Sequence, residues 1–494
     1  MPDRLTALDA AFLHFEHPWT PMHVAGLYIF EGTPEIPGRP GLHGLFHMVE
    51  QRLPLVPRYR QRVVSVPLGL GHPLWVDDPD FDLSYHLRRA ALPAPGGTRE
   101  LLDFVARIHA RPLDRSRPLW EIYVIEGLED GRLAMYSKVH HAMIDGMAGI
   151  DLATVILDTT PEGAPAPPSR PFAPPKLPGR AQLLSDVVRG GAGTTAGALR
   201  SLLQNPRAAI GEVASQAAAT TGIRRFAGLL RPAPTGPLNV PVGPHRRLAL
   251  VPISLVRAKA VKNKLGGTVN DVVLTAVGEA VDHFLEHRNV AHEEQTYRVM
   301  VPVSVRDESQ RMTLGNRVAA MFVDLPVGPM PARRRLATVS RAMTGVKENQ
   351  QALAADRLIA LGGWAPATLH GLAGRIGFSS QRVLNLVVSN VPGVQYPLYA
   401  GGARLLETYP LLPLAANLAS VVCVTSYCGT LYFGLVGDRD AVPDLDVLAR
   451  GLRRGFDRLE IAAHQARDEG DAHRPSRGRA RTRTRRGEQQ PASV

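Results

Sequence analysis

Apolar residues recur at helical spacing at Leu42, Leu45, Phe46, Val49 and Leu53, which predicts a helix with one buried face early in the chain. The period then changes. Leu119 to Ile125 is a nearly unbroken apolar run, and Leu133, Met135, Ser137 and Val139 alternate along a second one. Glu129-Asp130-Gly131 between them supplies turn chemistry, so the two runs predict a hairpin. From Pro161 to about Pro244 the periodicity breaks, because Ala164-Pro165-Ala166-Pro167-Pro168 and Ala173-Pro174-Pro175 suit neither a regular helix nor a central strand. This stretch reads as a crossover linker. Within it, Ala181 to Leu230 is Ala-rich with Arg189, Arg200, Arg207, Arg224 and Arg225, a pattern for short amphipathic helices that pack on the protein's own surface or lie on lipid.

Regular pattern resumes with a strand over Leu248 to Ile253 and a helix over Val269 to Leu285, opened by Thr268 with Asp271 at capping-box spacing. A last helix follows Pro443 and Asp444, with Leu445, Leu448, Leu452, Phe456 and Leu459 on one face. The uncharged run from Thr408 to Gly437 is long enough to imitate a membrane span, but Pro410, Pro413, Asn417 and Gly429 interrupt it and Ser420 to Ser426 is β-branched. Two strands around Tyr427-Cys428-Gly429 fit better. The expected organisation is an N-terminal region over 1–160, a linker over 161–245, a second globular region over 246–467 and a basic tail over 468–494.

Composition adjusts this picture in two places. The chain of 494 residues is 45% hydrophobic, enough for a large core and inconsistent with a disordered protein. Much of the formal charge of +12 sits in the tail, where Arg474, Arg477, Arg479, Arg481, Arg483, Arg485 and Arg486 crowd a segment with almost no apolar residues. No aromatic residue interleaves with them to stack bases, so a specific nucleic-acid partner is not expected; generic affinity for an anionic membrane or lipid-droplet surface is. Cys423 and Cys428 are the two cysteines, and their odd separation argues against pairing in an extended segment. Asp3, Asp9 and Glu16 stand where a signal peptide would need an apolar core. A cytoplasmic protein with no transmembrane helix and only peripheral membrane contact is expected.

The chemistry concentrates in His140-His141-Ala142-Met143-Ile144-Asp145-Gly146, directly after the strand ending at Val139. Imidazole titrates near ~6.5, so it is mostly neutral in a cytosol and suited to take a hydroxyl proton. Continued alternation would place His141 on the face of Val139 and Met135 and turn His140 the other way. Gly146 permits a tight turn into a helix, and Asp145 has the chemistry to orient the local backbone or to pair with a distant arginine. Taken alone, two adjacent histidines are compatible with core packing, metal ligation or catalysis. Zinc needs about four ligands, and neither cysteine has a partner at short spacing, so no metal site is expected. There is no Gly-x-Ser-x-Gly elbow, and Gly191-Ala192-Gly193 with Ala196 lacks the preceding strand of a dinucleotide loop.

The His segment resembles the signature of the wax ester synthase/diacylglycerol acyltransferase family, within the wider coenzyme-A-dependent, chloramphenicol-acetyltransferase-like superfamily. Further matches stand in order along nearly the whole chain: Leu8-Asp9-Ala10-Ala11-Phe12, Pro21-Met22-His23-Val24, Pro118-Leu119-Trp120, Asn270-Asp271, Pro302-Val303-Ser304-Val305-Arg306, Leu314-Gly315-Asn316, Ser389-Asn390-Val391-Pro392-Gly393, Ser426-Tyr427 and Phe433-Gly434-Leu435. The resemblance implies an α/β (α+β) fold of two similar subdomains, mixed sheets flanked by helices, with an active-site tunnel at their interface.

It also implies that His141 acts as general base, with His140 supporting it, Asp145 structural and Gly146 at the turn. The oxygen of the acceptor then attacks the acyl-CoA thioester directly, without an acyl-enzyme and without a resident cofactor, acyl-CoA being a co-substrate. Long-chain acyl-CoA is the implied donor; diacylglycerol, giving triacylglycerol, or a fatty alcohol, giving a wax ester, is the acceptor. Asn270 is a candidate for oxyanion or hydrogen-bond support, while Asp271 already accounts for helix capping. Pro118, Leu119, Trp120, Asn316, Ser389 and Asn390 are candidates for contact with substrate, and Arg306 for a structural ion pair with Asp145. A non-enzymatic lipid-surface protein, bound through linker and tail, is the reading from another class, and the intact His motif argues against it.

Overall fold

The computed structural model describes residues 3–32, 41–67, 72–143, 157–163, 179, 233–304, 318–348 and 384–472. The helices expected between Ala181 and Leu230 and the arginines of the tail lie outside these residues. The first half contributes β1 (Asp3–Arg4), α1 (Ala7–Phe15), β2 (His23–Phe30), α2 (Gly41–Arg52), β3 (Gln61–Val64), β4 (Leu74–Asp77), α3 (Leu83–His86), β5 (Leu87–Ala91), α4 (Thr98–His109), β6 (Trp120–Glu126) and β7 (Leu133–His140). The second contributes β8 (Arg246–Ser254), α5 (Leu255–Leu265), α6 (Val269–His287), β9 (Thr296–Ser304), β10 (Val318–Pro326), α7 (Ala332–Glu348), β11 (Leu386–Val391), β12 (Tyr399–Ala400), β13 (Ala403–Leu411), β14 (Ser420–Tyr427), β15 (Thr430–Asp438) and α8 (Leu445–Ala472). None of the helices among the described residues is long and apolar enough to cross a membrane.

Two six-stranded mixed sheets carry the architecture, with strand orders β12-β13-β2-β7-β6-β5 and β10-β9-β11-β14-β15-β8, beside a small sheet β1-β4-β3. The expected hairpin is β6–β7, paired antiparallel from Trp120 opposite Val139 to Ile125 opposite Ala134, and Asp130 takes the positive φ that its turn requires. The uncharged run near the end folds as β13, β14 and β15 instead of a span, because the alternation of its apolar residues feeds two different cores. Leu431, Phe433 and Leu435 of β15 point into a core shared with Phe284 of α6 and Leu452 and Phe456 of α8. Tyr432 and Val436, on the opposite face of the same strand, join the core of the first sheet. The second sheet is therefore sandwiched between its own helices and the first half of the molecule.

The expected boundary at residue 246 does not separate the sheets. β13 leaves the second half and pairs antiparallel with β2 of the first, from Phe30 opposite Leu405 to Ala25 opposite Leu411. Its backbone also presses on β15: a Cβ built at Gly434 would lie 2.1 Å from the Pro410 carbonyl oxygen. Only a glycine admits that approach. A similar contact joins α8 to α6, where Cβ atoms at Gly451 and Gly455 would lie 2.8 Å from the Cα of Ala280 and 2.9 Å from that of Ala276. The start of α6 is fixed by the capping box: the Asp271 amide donates to Thr268 Oγ1 at 3.2 Å and the Thr268 amide to Asp271 Oδ2 at 2.8 Å.

Filling the Gly434 contact must push β13 off the second sheet. Gly434→Val is expected to lower unfolding free energy by about 1–3 kcal/mol, the usual cost of overpacking a core. A urea midpoint equal to that of the natural chain would show that β13 does not hold the halves together.

Candidate active site

The histidine pair is positioned by backbone pairing on both sides. His140 is opposite His23 in the β2–β7 ladder and its amide donates to the Leu119 carbonyl at 2.9 Å. The strand stops there. His141 opens a short 3-10 turn over His141–Met143, with its amide donating to the Met22 carbonyl at 2.8 Å. The alternation expected from sequence assumed one covered face, but both faces of β7 are covered. His140, on the face opposite Val139, is therefore buried as well, with 1% of its surface exposed.

His140 Nδ1 accepts a hydrogen bond from the Ala142 amide at 3.1 Å, so in the neutral ring the proton sits on Nε2. That nitrogen lies 3.7 Å from Oε1 of Glu16. Glu16 is itself held by the Met22 amide at 3.2 Å and by Arg115 Nε at 2.9 Å. Burial alone would raise the Glu16 carboxyl; the bonds and charges of His140 and Arg115 outweigh it and bring it down to about 2. A permanent carboxylate thus faces His140. His141 stacks on the ring of Phe12, with centroids 3.8 Å apart and planes at 20°. Burial pushes its imidazole down to about 4, so it is neutral at physiological pH and has its lone pair free to accept a proton. Among the described residues its buried Nδ1 makes no hydrogen bond.

Beneath the pair lies a buried polar layer between β7 and α4. His23 donates from Nε2 to the His109 carbonyl at 2.7 Å, and the Tyr136 hydroxyl lies 2.8 Å from His109 Nδ1. Lys138, 1% exposed, donates to the carbonyls of Ile108 at 3.2 Å and Arg111 at 3.1 Å and stands 3.4 Å from Glu121. Each polar atom that is paired here resists sliding, so the strand that ends in His140 is fixed from below.

The other expected site residues are scattered. Pro118, Leu119 and Trp120 are buried; the Trp120 indole donates to the Tyr59 carbonyl at 2.8 Å and its ring stacks on His86 at 4.6 Å. Those contacts pack Trp120 into the core of the first half. Asn270 and Asn390 meet: Asn390 Nδ2 donates to Asn270 Oδ1 at 3.1 Å, and neither forms a hydrogen bond with the histidine pair. Ser389 is nearly buried on β11, where it lies opposite Cys423 of β14. Asp271 caps α6 and accepts from Ser340 Oγ at 3.1 Å. Asp145, Gly146, Arg306 and Asn316 lie outside the described residues. Both cysteines are free, Cys423 buried and Cys428 exposed.

Glu16, Arg115 and Phe12 were not singled out from sequence. Phe12 and Glu16 are four residues apart at the end of α1, the spacing that puts two side chains on one helical face, and both turn to the histidines. That spacing was legible in principle. Arg115 comes from the irregular segment after α4, which offers no such signal.

Two mixed sheets joined by a crossover strand, with a histidine pair at the end of the central strand of the first, define an acyltransferase-type fold that is shared with condensation domains. The first condensation domain of the calcium-dependent antibiotic synthetase superposes with a TM-score of 0.58 at 17% identity, covering 94% of this chain and 96% of that one, a likeness of fold alone. The wax ester synthase/diacylglycerol acyltransferase of Marinobacter aquaeolei is nearer, with a TM-score of 0.67 and 30% identity over 94% of this chain and all (100%) of that one. The model of the wax ester synthase/diacylglycerol acyltransferase catalytic domain matches residues 5–273, and that of the family's C-terminal domain matches residues 314–460. A Mycobacterium tuberculosis protein named a probable diacylglycerol O-acyltransferase is 36% identical over 467 residues, 93% of this chain and 99% of its own length. A second of the same name and organism is 34% identical over 468 residues, covering 92% and 96%. The chain belongs to the wax ester synthase/diacylglycerol acyltransferase family.

The buried histidines make stability depend on pH. Burial, with the charges of Arg246 and Lys138, lowers His109 to about 3. Burial, with the charge of Lys138, holds His23 well below the ordinary value. Both folded values lie below that of the unfolded chain, near ~6.5, so the unfolded state takes up protons first as pH falls. Stability that is complete above about pH 6.5 should be lost below it, by about 2 kcal/mol at about pH 5 from His109, with His23 acting in the same direction. Thermal unfolding followed across that window, with His109→Asn flattening the slope, checks the sign and the source.

Proposed function

We propose that this chain transfers a long-chain acyl group from acyl-CoA to diacylglycerol, making triacylglycerol, with His141 as general base. What carries the reading is the state of His141: neutral, partly buried, stacked on Phe12 and adjacent to a His140 that faces a fixed carboxylate. The acceptor hydroxyl gives its proton to the His141 ring as its oxygen attacks the thioester carbonyl. The carbon–sulfur bond then breaks, the imidazolium returns the proton to the departing thiolate, and ester and free CoA remain. Charge appears in turn on His141, on the reacting carbonyl oxygen and on the leaving sulfur, and because the acceptor oxygen attacks the thioester directly the reaction passes through no acyl-enzyme and calls on no resident cofactor. Glu16 and His140 set the geometry of the turn that carries His141, and the negative Glu16 favours the imidazolium formed on the way.

The relatives named diacylglycerol O-acyltransferases favour diacylglycerol over a fatty alcohol as acceptor. Both substrates are of low water solubility, so the enzyme works at a lipid surface that it touches peripherally.

Purified protein incubated with labelled palmitoyl-CoA and either diolein or hexadecanol tests this directly. Triacylglycerol is the expected product, and His141→Ala should lower kcat by about 10²–10⁴-fold, the usual share of a positioned base. Wax ester formed in preference to triacylglycerol would reassign the acceptor; a His141→Ala protein with undiminished turnover would remove the base.

Glu16→Gln keeps the shape and removes the charge. It should lower kcat about tenfold with little change in KM, since Glu16 acts through His140 and not on substrate. An equal change in KM and none in kcat would place Glu16 at the substrate instead.

A further inference from the structure

Helix α1 meets both histidines, Glu16 at His140 and, one turn earlier on the same helical face, Phe12 at His141. The second contact is a parallel stack, with ring centroids 3.8 Å apart and planes at 20°. The helix that presents Phe12 is held at both ends. At its start the Asp9 amide donates to Thr6 Oγ1 at 3.2 Å, and that hydroxyl donates to Asp9 Oδ2 at 2.6 Å. At its end Arg115 Nη2 donates to the Leu13 carbonyl at 2.7 Å and Arg115 Nε to Glu16 Oε2 at 2.9 Å. Between these ties Ala10 and Leu13 are buried in the core of the first half. The His141 backbone is held in turn by its amide, which donates to the Met22 carbonyl at 2.8 Å. The two rings are thus located from both sides.

Packing alone does not call for an aromatic ring here. Phe12 is half-buried, and an aliphatic side chain of similar size would cover a neutral imidazole with comparable dispersion energy. What the aromatic face adds is electrostatic. Its quadrupole presents negative charge to the imidazole and attracts a cation within about 6 Å of the ring centroid, but offers a neutral ring little. The stack is therefore stronger once His141 carries a proton than before. An interaction that grows on the way to the transition state lowers the barrier, whereas one equal in both states does not. Burial first, and then the nearby His140, oppose charge on His141, and the Glu16 carboxylate acts on it only across His140. A π face in direct contact offsets that penalty, and being apolar it loses no hydration when the proton arrives.

We propose that Phe12 is a positioning residue of the transfer step, a π face that stabilises the imidazolium of His141 while the acceptor oxygen attacks the thioester carbonyl. This rests on His141 as general base and deepens that reading by naming what bears on the transient positive charge. The acceptor proton passes to His141 as the new carbon–oxygen bond forms, and the charge leaves the ring when that proton goes to the departing thiolate. Phe12 exchanges no atom and no electron. The stack also sets the plane of a ring whose Nδ1 makes no hydrogen bond among the described residues.

Replacing Phe12 in the full chain by mono-, di- and trifluorinated phenylalanine keeps the ring's shape and drains its face of negative charge step by step. Single-turnover transfer from labelled palmitoyl-CoA to diolein should slow in that order, by about tenfold at three fluorines. KM for both substrates and the thermal midpoint should stay as they are in the natural chain. Phe12→Leu should slow the step by a similar factor, and Phe12→Tyr, which keeps the π face, should restore it. Equal rates across the fluorinated series overturn the proposal and leave His141 as the base, even where Phe12→Leu is slow, because the ring then serves packing alone. A raised KM at constant rate also overturns it, by placing Phe12 against substrate. Undiminished turnover in His141→Ala removes the base and, with it, the charge that Phe12 is held to face.

Discussion

The two halves of this molecule are held in one relative position by a strand that belongs to both. β13 is hydrogen-bonded to β2 at one side and rests on β14 and β15 at the other, with the side chain missing at Gly434 so that its carbonyls reach the second sheet. Tyr432 and Tyr427 then bond across it, their hydroxyls donating to the Leu406 and Leu405 carbonyls at 2.9 Å and 3.1 Å. Polar ties of this kind fix register where apolar packing alone would tolerate sliding. Because β2 is also the partner of β7, any shift of β13 is passed to the ladder that ends in His23 and His140. The place of the turn that carries His141 is thus set by the second half as well as by the first.

Desolvation then does the electrostatic tuning. The same burial that lowers His141 also closes His23 and His109 off from water, yet the consequences differ because their partners differ. His109 and His23 have their ring donors bound to carbonyls, so they are fixed structural groups. His141 instead has a ring stacked on Phe12 and an Nδ1 without a hydrogen bond among the described residues.

Much of this was legible along the chain. The hairpin, the capped α6 and the strands of the uncharged run followed from apolar periodicity and turn residues, because those elements bury one face and are bounded by glycine, proline or a cap. The crossing of β13 was not, since its sequence reads as an ordinary strand of the second half and nothing in a period-2 pattern names its partner. The burial of His140 was not legible for a related reason: alternation does not say what covers the second face, and Tyr136 and Lys138 lie buried on the face shared with His140. Motif residues fared unevenly. Asn270 and Asn390, far apart in sequence, touch, and Trp120 packs in the core, contacts that no sequence period names.

Charge in this protein is mostly settled locally, with an exception on α5. Arg335 of α7, fully buried, donates to Asp282 at 2.7 Å and lies 3.3 Å from Glu279, which Arg458 of α8 also bonds. Arg288 is matched to Asp444 and Arg257 to Asp457 and Glu460, so the helices that cover the second sheet are pinned to one another by complementary pairs. A buried charge left without its partner would be strongly destabilising, which is why these matches are complete in the interior. Lys259, Lys262 and Lys264 of α5, which make no ion pair among the described residues, face no such demand, because they stand near water, where an unpaired ammonium is well solvated. Their ammonium groups keep their hydration in place of a carboxylate partner, which costs little at a surface.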